Sequence, residues 1–186
     1  NKEKWTDGWN SFKRLNDKLH QNGVSSIFHT YAFFIDKQSS FVTPVPHPDL
    51  ASFRHFTLAE SLAISGDEIV VNESTADISL FTGFHFPNSL TLRIGNELIT
   101  FSGVSKTIPY KFTGCKRGVN GTKASSHEKG ERADHLKELF GRFVPGPETQ
   151  LFDEVAKRTA DIVNDCGIDG IYFDAIDGSD ILGGME

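Results

Sequence analysis

Long apolar runs are missing from this 186-residue sequence. Nothing in it approaches the roughly 20 consecutive apolar residues that a membrane span needs, and the opening NKEKWTDGWN holds no apolar targeting segment. A leader removed before residue 1 would leave the same picture, so export to a periplasm or the exterior stays open. A basic excess is missing too, because 19 Lys and Arg face 25 Asp and Glu for a formal net charge of −6. That balance works against counterion release on nucleic acid and against adsorption to an anionic membrane, so neither partner is expected. Only two cysteines occur, Cys115 and Cys166, without metal-like spacing; two buried thiols are expected rather than a disulfide. His47, His55, His85, His127 and His135 are scattered with no ligand rhythm, so no metal is expected. GVNGTKASSHEKG has the glycines of a phosphate loop but not its spacing, and no cofactor is expected.

What is present reads as a globular protein: 38% hydrophobic and 24% charged residues supply a core, and 16 phenylalanines fall largely in or beside short apolar runs. Trp9, Phe12, Leu15 or Asn16, and Leu19 recur at helical spacing, with Thr6 or Asp7 to cap the start and Gly23 to close the end. VSSIFHTYAFFI, residues 24–35, is rich in β-branched and aromatic residues and predicts a strand. The same grammar returns later. Phe152, Val155, Ala156, Thr159, Ile162, Val163 and Cys166 trace one helical stripe that Gly167 can end, and IDGIYFDA follows as a buried strand of the parallel-sheet kind.

Between these blocks the texture changes. Pro44, Pro46 and Pro48 mark an irregular path, and short strand candidates then alternate with turns through DEIVV, ADISLF, LTLRI, ELITFSGV and YKFTGCKRG. LTLRI-GN-ELITF is the strongest local signal, since Gly95-Asn96 suits a two-residue hairpin turn. The expected fold class is therefore α/β: a partial (β/α) barrel segment interrupted by a small antiparallel β module. The expected divisions are residues 1–53 and 131–186 for the barrel pieces and 54–130 for the insert.

Two resemblances attach to these blocks. FPNSLTLRIGNELITFSGVS with FTGCKRGVNGTKASSH, about residues 86–127, resembles a β module of phage tail and baseplate associated proteins, through Gly95, Glu97, Gly103, Gly114, Cys115, Arg117, Gly118, Gly121, Thr122 and His127. Phe101 stands where that module usually has tyrosine. The implied role is structural or docking. The flanks, LHQNGVSSIFHTYAFFI and LFDEVAKRTADIVNDCGIDGIYFDAIDG, resemble pieces of glycoside-hydrolase (β/α)8 barrels of the α-galactosidase-like superfamily. Two strand–helix repeats are too few for a whole barrel, which takes about 250 residues, so a segment of a longer enzyme is expected.

Asp174 ends the second strand. A carboxylate there either caps a turn or faces a cleft, and the barrel resemblance implies the second, as nucleophile of a retaining glycosidase. His29 and Tyr31 share one strand face and are expected to contact a sugar; Asp177, just beyond Asp174, either orients a hydroxyl or solvates the loop. Asp180 is read as turn chemistry and Asp169 as structural. Asp36 and Glu186 are weak candidates for the acid/base, which is expected outside these residues. The expected partner is an oligo- or polysaccharide. The alternatives are a non-catalytic carbohydrate-binding or scaffolding protein that docks through the β module and, less favoured, a polysaccharide lyase.

Overall fold

A computed structural model describes residues 6–183. Its elements, in chain order, are helix α1 (Gly8–Gln21), strands β1 (Ile27–Thr30), β2 (Ser52–Thr57), β3 (Ile69–Val70), β4 (Thr91–Ile94), β5 (Glu97–Thr100), β6 (Gly103–Val104), β7 (Lys111–Thr113), β8 (Arg132–Leu136), β9 (Glu138–Leu139) and β10 (Arg142–Phe143), then helix α2 (Gln150–Cys166) and strand β11 (Gly170–Phe173). Short 3₁₀ turns lie at Val119–Gly121 and Ile176–Leu182. The described residues fold as two compact units, 6–33 with 152–179 and 34–151 with 180–183.

The first unit holds α1, α2 and one parallel pair. β1 and β11 run side by side with Ile27 opposite Gly170 and His29 opposite Tyr172. Because the side-chain period of a strand is two, Phe28, Thr30, Ile171 and Phe173 share one face and His29 and Tyr172 the other. Phe28 packs edge-on against Trp9 and Phe12 of α1, with ring centroids 6.5 Å away in each case. α1 is tied to the end of α2 by Asn16, which is buried and donates from Nδ2 to the carbonyls of Cys166 (2.9 Å) and Gly167 (2.6 Å). Gly167, at φ 65°, takes the left-handed conformation that ends a helix, and Ile168 N–H reaches back to the Val163 carbonyl at 2.9 Å.

The second unit is antiparallel throughout. β2, β8, β4 and β5 form a four-stranded sheet in that order, and β3, β7 and β6 a three-stranded one. Phe56, Leu92, Ile94, Ile99 and Phe112, all fully buried, anchor the core between them. Gly95, at φ 52°, joins β4 to β5 in the position where a hairpin turn needs a residue that tolerates positive φ.

These pairings overturn the expected (β/α) barrel segment. In a barrel every parallel strand is followed by a helix that returns the chain to the next one. Here no helix follows β1. The chain turns instead at Ala32, whose φ of 36° breaks the extended path, and Ile35 then bridges Phe143 antiparallel. Among the described residues parallel pairing is confined to β1 and β11, every other strand pair is antiparallel, and no sheet closes. The fold is a small α+β arrangement.

Candidate functional site

β11 ends at Phe173, and the ladder runs one bond further: Asp174 N–H donates to the Thr30 carbonyl at 2.8 Å. The chain then breaks sharply, because Ala175 sits at φ 62°, a conformation that costs a residue carrying Cβ roughly 1–2 kcal/mol. Asp174 is held across this corner. Its Oδ1 accepts the Ala175 N–H at 2.9 Å and its Oδ2 lies 3.2 Å from Nε2 of His29. The side chains of His29 and Asp174 are 57% and 38% exposed, so the pair is oriented and still open to a ligand.

Two tyrosines complete the surface. Tyr31 lies one step further along the first strand, its ring stacked near His29 at 6.2 Å and 27°. Tyr172 lies across on β11, its ring 5.3 Å from His29 at 41° and 57% exposed. Three rings and a carboxylate thus come from alternate positions of two paired strands and their immediate continuations. The structure brings His29, Tyr31 and Asp174 together. It leaves Asp177 apart: that residue is exposed in the 3₁₀ turn, and no hydrogen bond or ion pair joins it to the other three. Tyr172 was not singled out from sequence, although its position two residues before Asp174 places both on one face.

The remaining acidic candidates have local duties. Asp169 accepts from the Ser26 N–H (2.8 Å) and from His20 Nε2 (2.7 Å), and the Ser26 bond, followed by the His20 contact, holds its carboxyl below the usual range. Asp36 accepts the Gln38 N–H in an exposed turn. Glu186 lies outside the described residues. On the opposite face from His29, Ile171 and Phe173 join Phe33, Phe152 and Ala156 around an apolar groove of about 400 Å³. Its lining offers no acid or base.

A second polar cluster lies in the antiparallel unit. Glu97, fully buried at the start of β5, takes a two-pronged contact from Arg117 (Nε to Oε1 2.8 Å, Nη2 to Oε2 2.7 Å), the N–H groups of Gly118 (2.9 Å) and Ser125 (3.1 Å), and Nε2 of His127 (2.8 Å). Burial pushes the Glu97 carboxyl up, but the Arg117, His127 and backbone bonds outweigh it and hold it below its ordinary value. Gly118 permits the approach: at φ 60°, a Cβ there would stand 2.9 Å from the Ala124 nitrogen. Every donor aims inward and the carboxylate is sealed, so this cluster is a structural knot that joins the 117–127 segment to β5. Arg117 also donates to the carbonyls of Ala63 (2.6 Å) and Ser125 (2.6 Å), which ties a third segment to it.

Among the described residues no group of three His, Cys, Asp or Glu is placed to hold a metal ion, and no helix is long and apolar enough to cross a membrane. No family model, curated protein or solved structure matches the chain, and with no barrel present, neither the glycoside-hydrolase nor the phage-module resemblance has support.

Proposed function

We propose that the protein is a non-catalytic carbohydrate-binding protein whose contact surface is His29, Tyr31, Tyr172 and Asp174. The observation that carries this reading is the exposed rings of His29 and Tyr172 beside a fixed carboxylate, with the half-buried Tyr31 at their edge. Sugar rings present C–H faces that pack on aromatic rings and hydroxyl edges that need planar acceptors and donors, and this surface supplies both within one patch. The carboxylate is positioned before any ligand arrives, so little orientational entropy remains to be lost on binding.

The test is a glycan panel followed by calorimetric titration of the chain against the best binder. Tyr172→Ala removes an exposed ring set beside His29, and is expected to weaken binding by roughly tenfold, the worth of one aromatic contact. Unchanged affinity would remove Tyr172 from the surface, and an empty panel would overturn the reading.

A further inference from the structure

The segment between β3 and β4, in the antiparallel unit, ends in an apolar tip. Residues 81–86 are all exposed, and three of them are phenylalanines: Phe81 at 64%, Phe84 at 54% and Phe86 at 41%. Side chains of this size ordinarily fill a core. From residue 78 to residue 92 the sequence has no Asp, Glu, Lys or Arg, so the tip carries no fixed charge. It is also closed on itself. Asn88 Nδ2 donates to the carbonyls of Ser79 (3.0 Å) and Phe81 (2.9 Å), and the Asn88 N–H to that of Phe86 (2.8 Å). The Gly83 carbonyl accepts the Phe86 N–H (3.1 Å), and the Phe84 carbonyl accepts the N–H of the buried Phe140 (2.9 Å). Five carbonyls of an exposed loop are thus satisfied by protein, which is what backbone needs before it can leave water.

We propose that this tip is a shallow membrane anchor that seats Phe81, Phe84 and Phe86 at the boundary between headgroups and acyl chains of a zwitterionic phospholipid surface. Area argues against a second protein. The three rings together expose roughly 300 Å², at about 200 Å² for a whole ring, whereas a stable protein interface takes about 800 Å² from each partner. Attachment to a bilayer scales with the apolar area inserted and sets no such minimum. Ring geometry argues against a sugar. Phe81 meets Phe86 at 87° and Phe84 meets His85 at 85°, so the tip offers no flat platform to a pyranose, while fluid acyl chains conform to any arrangement. Charge selects the headgroup. Lys106, bonded to the Ala76 and Ile78 carbonyls, and Arg142, bonded to the Phe140 carbonyl, flank the uncharged tip and can meet lipid phosphates. The chain as a whole carries −6, so a surface with net negative charge repels it.

Flotation of the full chain with phosphatidylcholine vesicles tests the anchor. The native chain is expected to float with them, and replacing part of the phosphatidylcholine by phosphatidylserine to lower the bound fraction. Phe81→Asp places a charge at the most exposed ring and is expected to weaken partitioning by at least about tenfold. Phe81→Trp is expected to keep it, with the emission it adds over the native chain quenched by phosphatidylcholine brominated on its acyl chains. Thermal unfolding of both variants separates a lost anchor from a lost fold. If Phe81→Asp unfolds, quenching in Phe81→Trp still places residue 81 inside or outside the bilayer. Absence of flotation, flotation that survives Phe81→Asp in a folded chain, added emission that brominated lipid leaves unquenched, or binding that grows with phosphatidylserine would each overturn the proposal. A dimer in sedimentation velocity that Phe81→Asp dissolves, with no vesicle binding, would overturn it in favour of a second copy of the chain.

Discussion

Glu97 shows how a buried charge is made tolerable. Five donor bonds converge on its two oxygens, so the cost of desolvation is met by paired charge and backbone N–H groups together. Removing the carboxylate strands Arg117 in a buried site, and Glu97→Ala is expected to cost about 3–5 kcal/mol in urea unfolding. The pH dependence follows from the direction of its shift. Because the folded carboxyl titrates below the unfolded one, its contribution is complete above the ordinary Glu value of about 4.3 and drains away as the pH falls through the lower folded value. Urea midpoints measured from neutrality down to acid should show that loss in the native chain, and a shallower one in Glu97→Gln. His135 differs from Glu97. Burial lowers its affinity for a proton, and its Nε2 faces the Ser89 carbonyl at 2.7 Å while Nδ1 is buried without a partner. At this scale the sequence was informative in part: His29, Tyr31 and Asp174 could be picked out as chemistry-bearing residues at strand positions. Glu97, Arg117, Gly118 and His127 also stood out, as parts of the β-module pattern, but their contact around one buried carboxylate could not be read, because Glu97 and His127 lie 30 positions apart and only the closed chain makes them neighbours.

Among the elements, those written in local patterns were legible. α1 was expected over Trp9–His20 and spans Gly8–Gln21; the stripe from Phe152 to Cys166 falls within α2; Gly95-Asn96 turns between β4 and β5. Leu15 or Asn16 were both compatible with the α1 stripe, and the structure chooses the polar one, since Asn16 is buried while Leu15 is 43% exposed. An amide there satisfies two carbonyls at the α2 terminus that a leucine would leave without a donor. Asn16→Leu is therefore expected to destabilise the first unit by about 1–3 kcal/mol despite its greater hydrophobicity, and native-state hydrogen exchange of the α1 and α2 amides would register it. The strand expected over residues 24–35 survives only as Ile27–Thr30, because the left-handed turn at Ala32 ends its ladder. ADISLF forms no strand: Ile78 is buried, whereas Leu80 and Phe81 are exposed on a loop that Asn88 Nδ2 pins to the carbonyls of Ser79 and Phe81. β8, RADHL, was missed for the opposite reason. It carries Asp134 and His135 in positions that are buried and hydrogen-bonded, so its polarity hides a central strand.

For the molecule as a whole, local grammar misled. Helix followed by apolar strand occurs twice, and that repetition suggested consecutive turns of a barrel. What the two copies build is one parallel pair, β1 with β11, separated in sequence by the whole antiparallel unit. Periodicity reports which face of an element is apolar; it does not report which distant strand lies beside it, and that pairing decides the architecture. The same pairing makes the candidate site, because His29 and Asp174 meet only where β1 and β11 run in register. The most direct test of the account is a map of backbone amide chemical shifts on titration with the tightest-binding oligosaccharide. Shifts centred on residues 29–31 and 172–175, saturating with the calorimetric affinity, are predicted. Shifts confined to residues 34–151, with the β1–β11 amides unmoved, would contradict it.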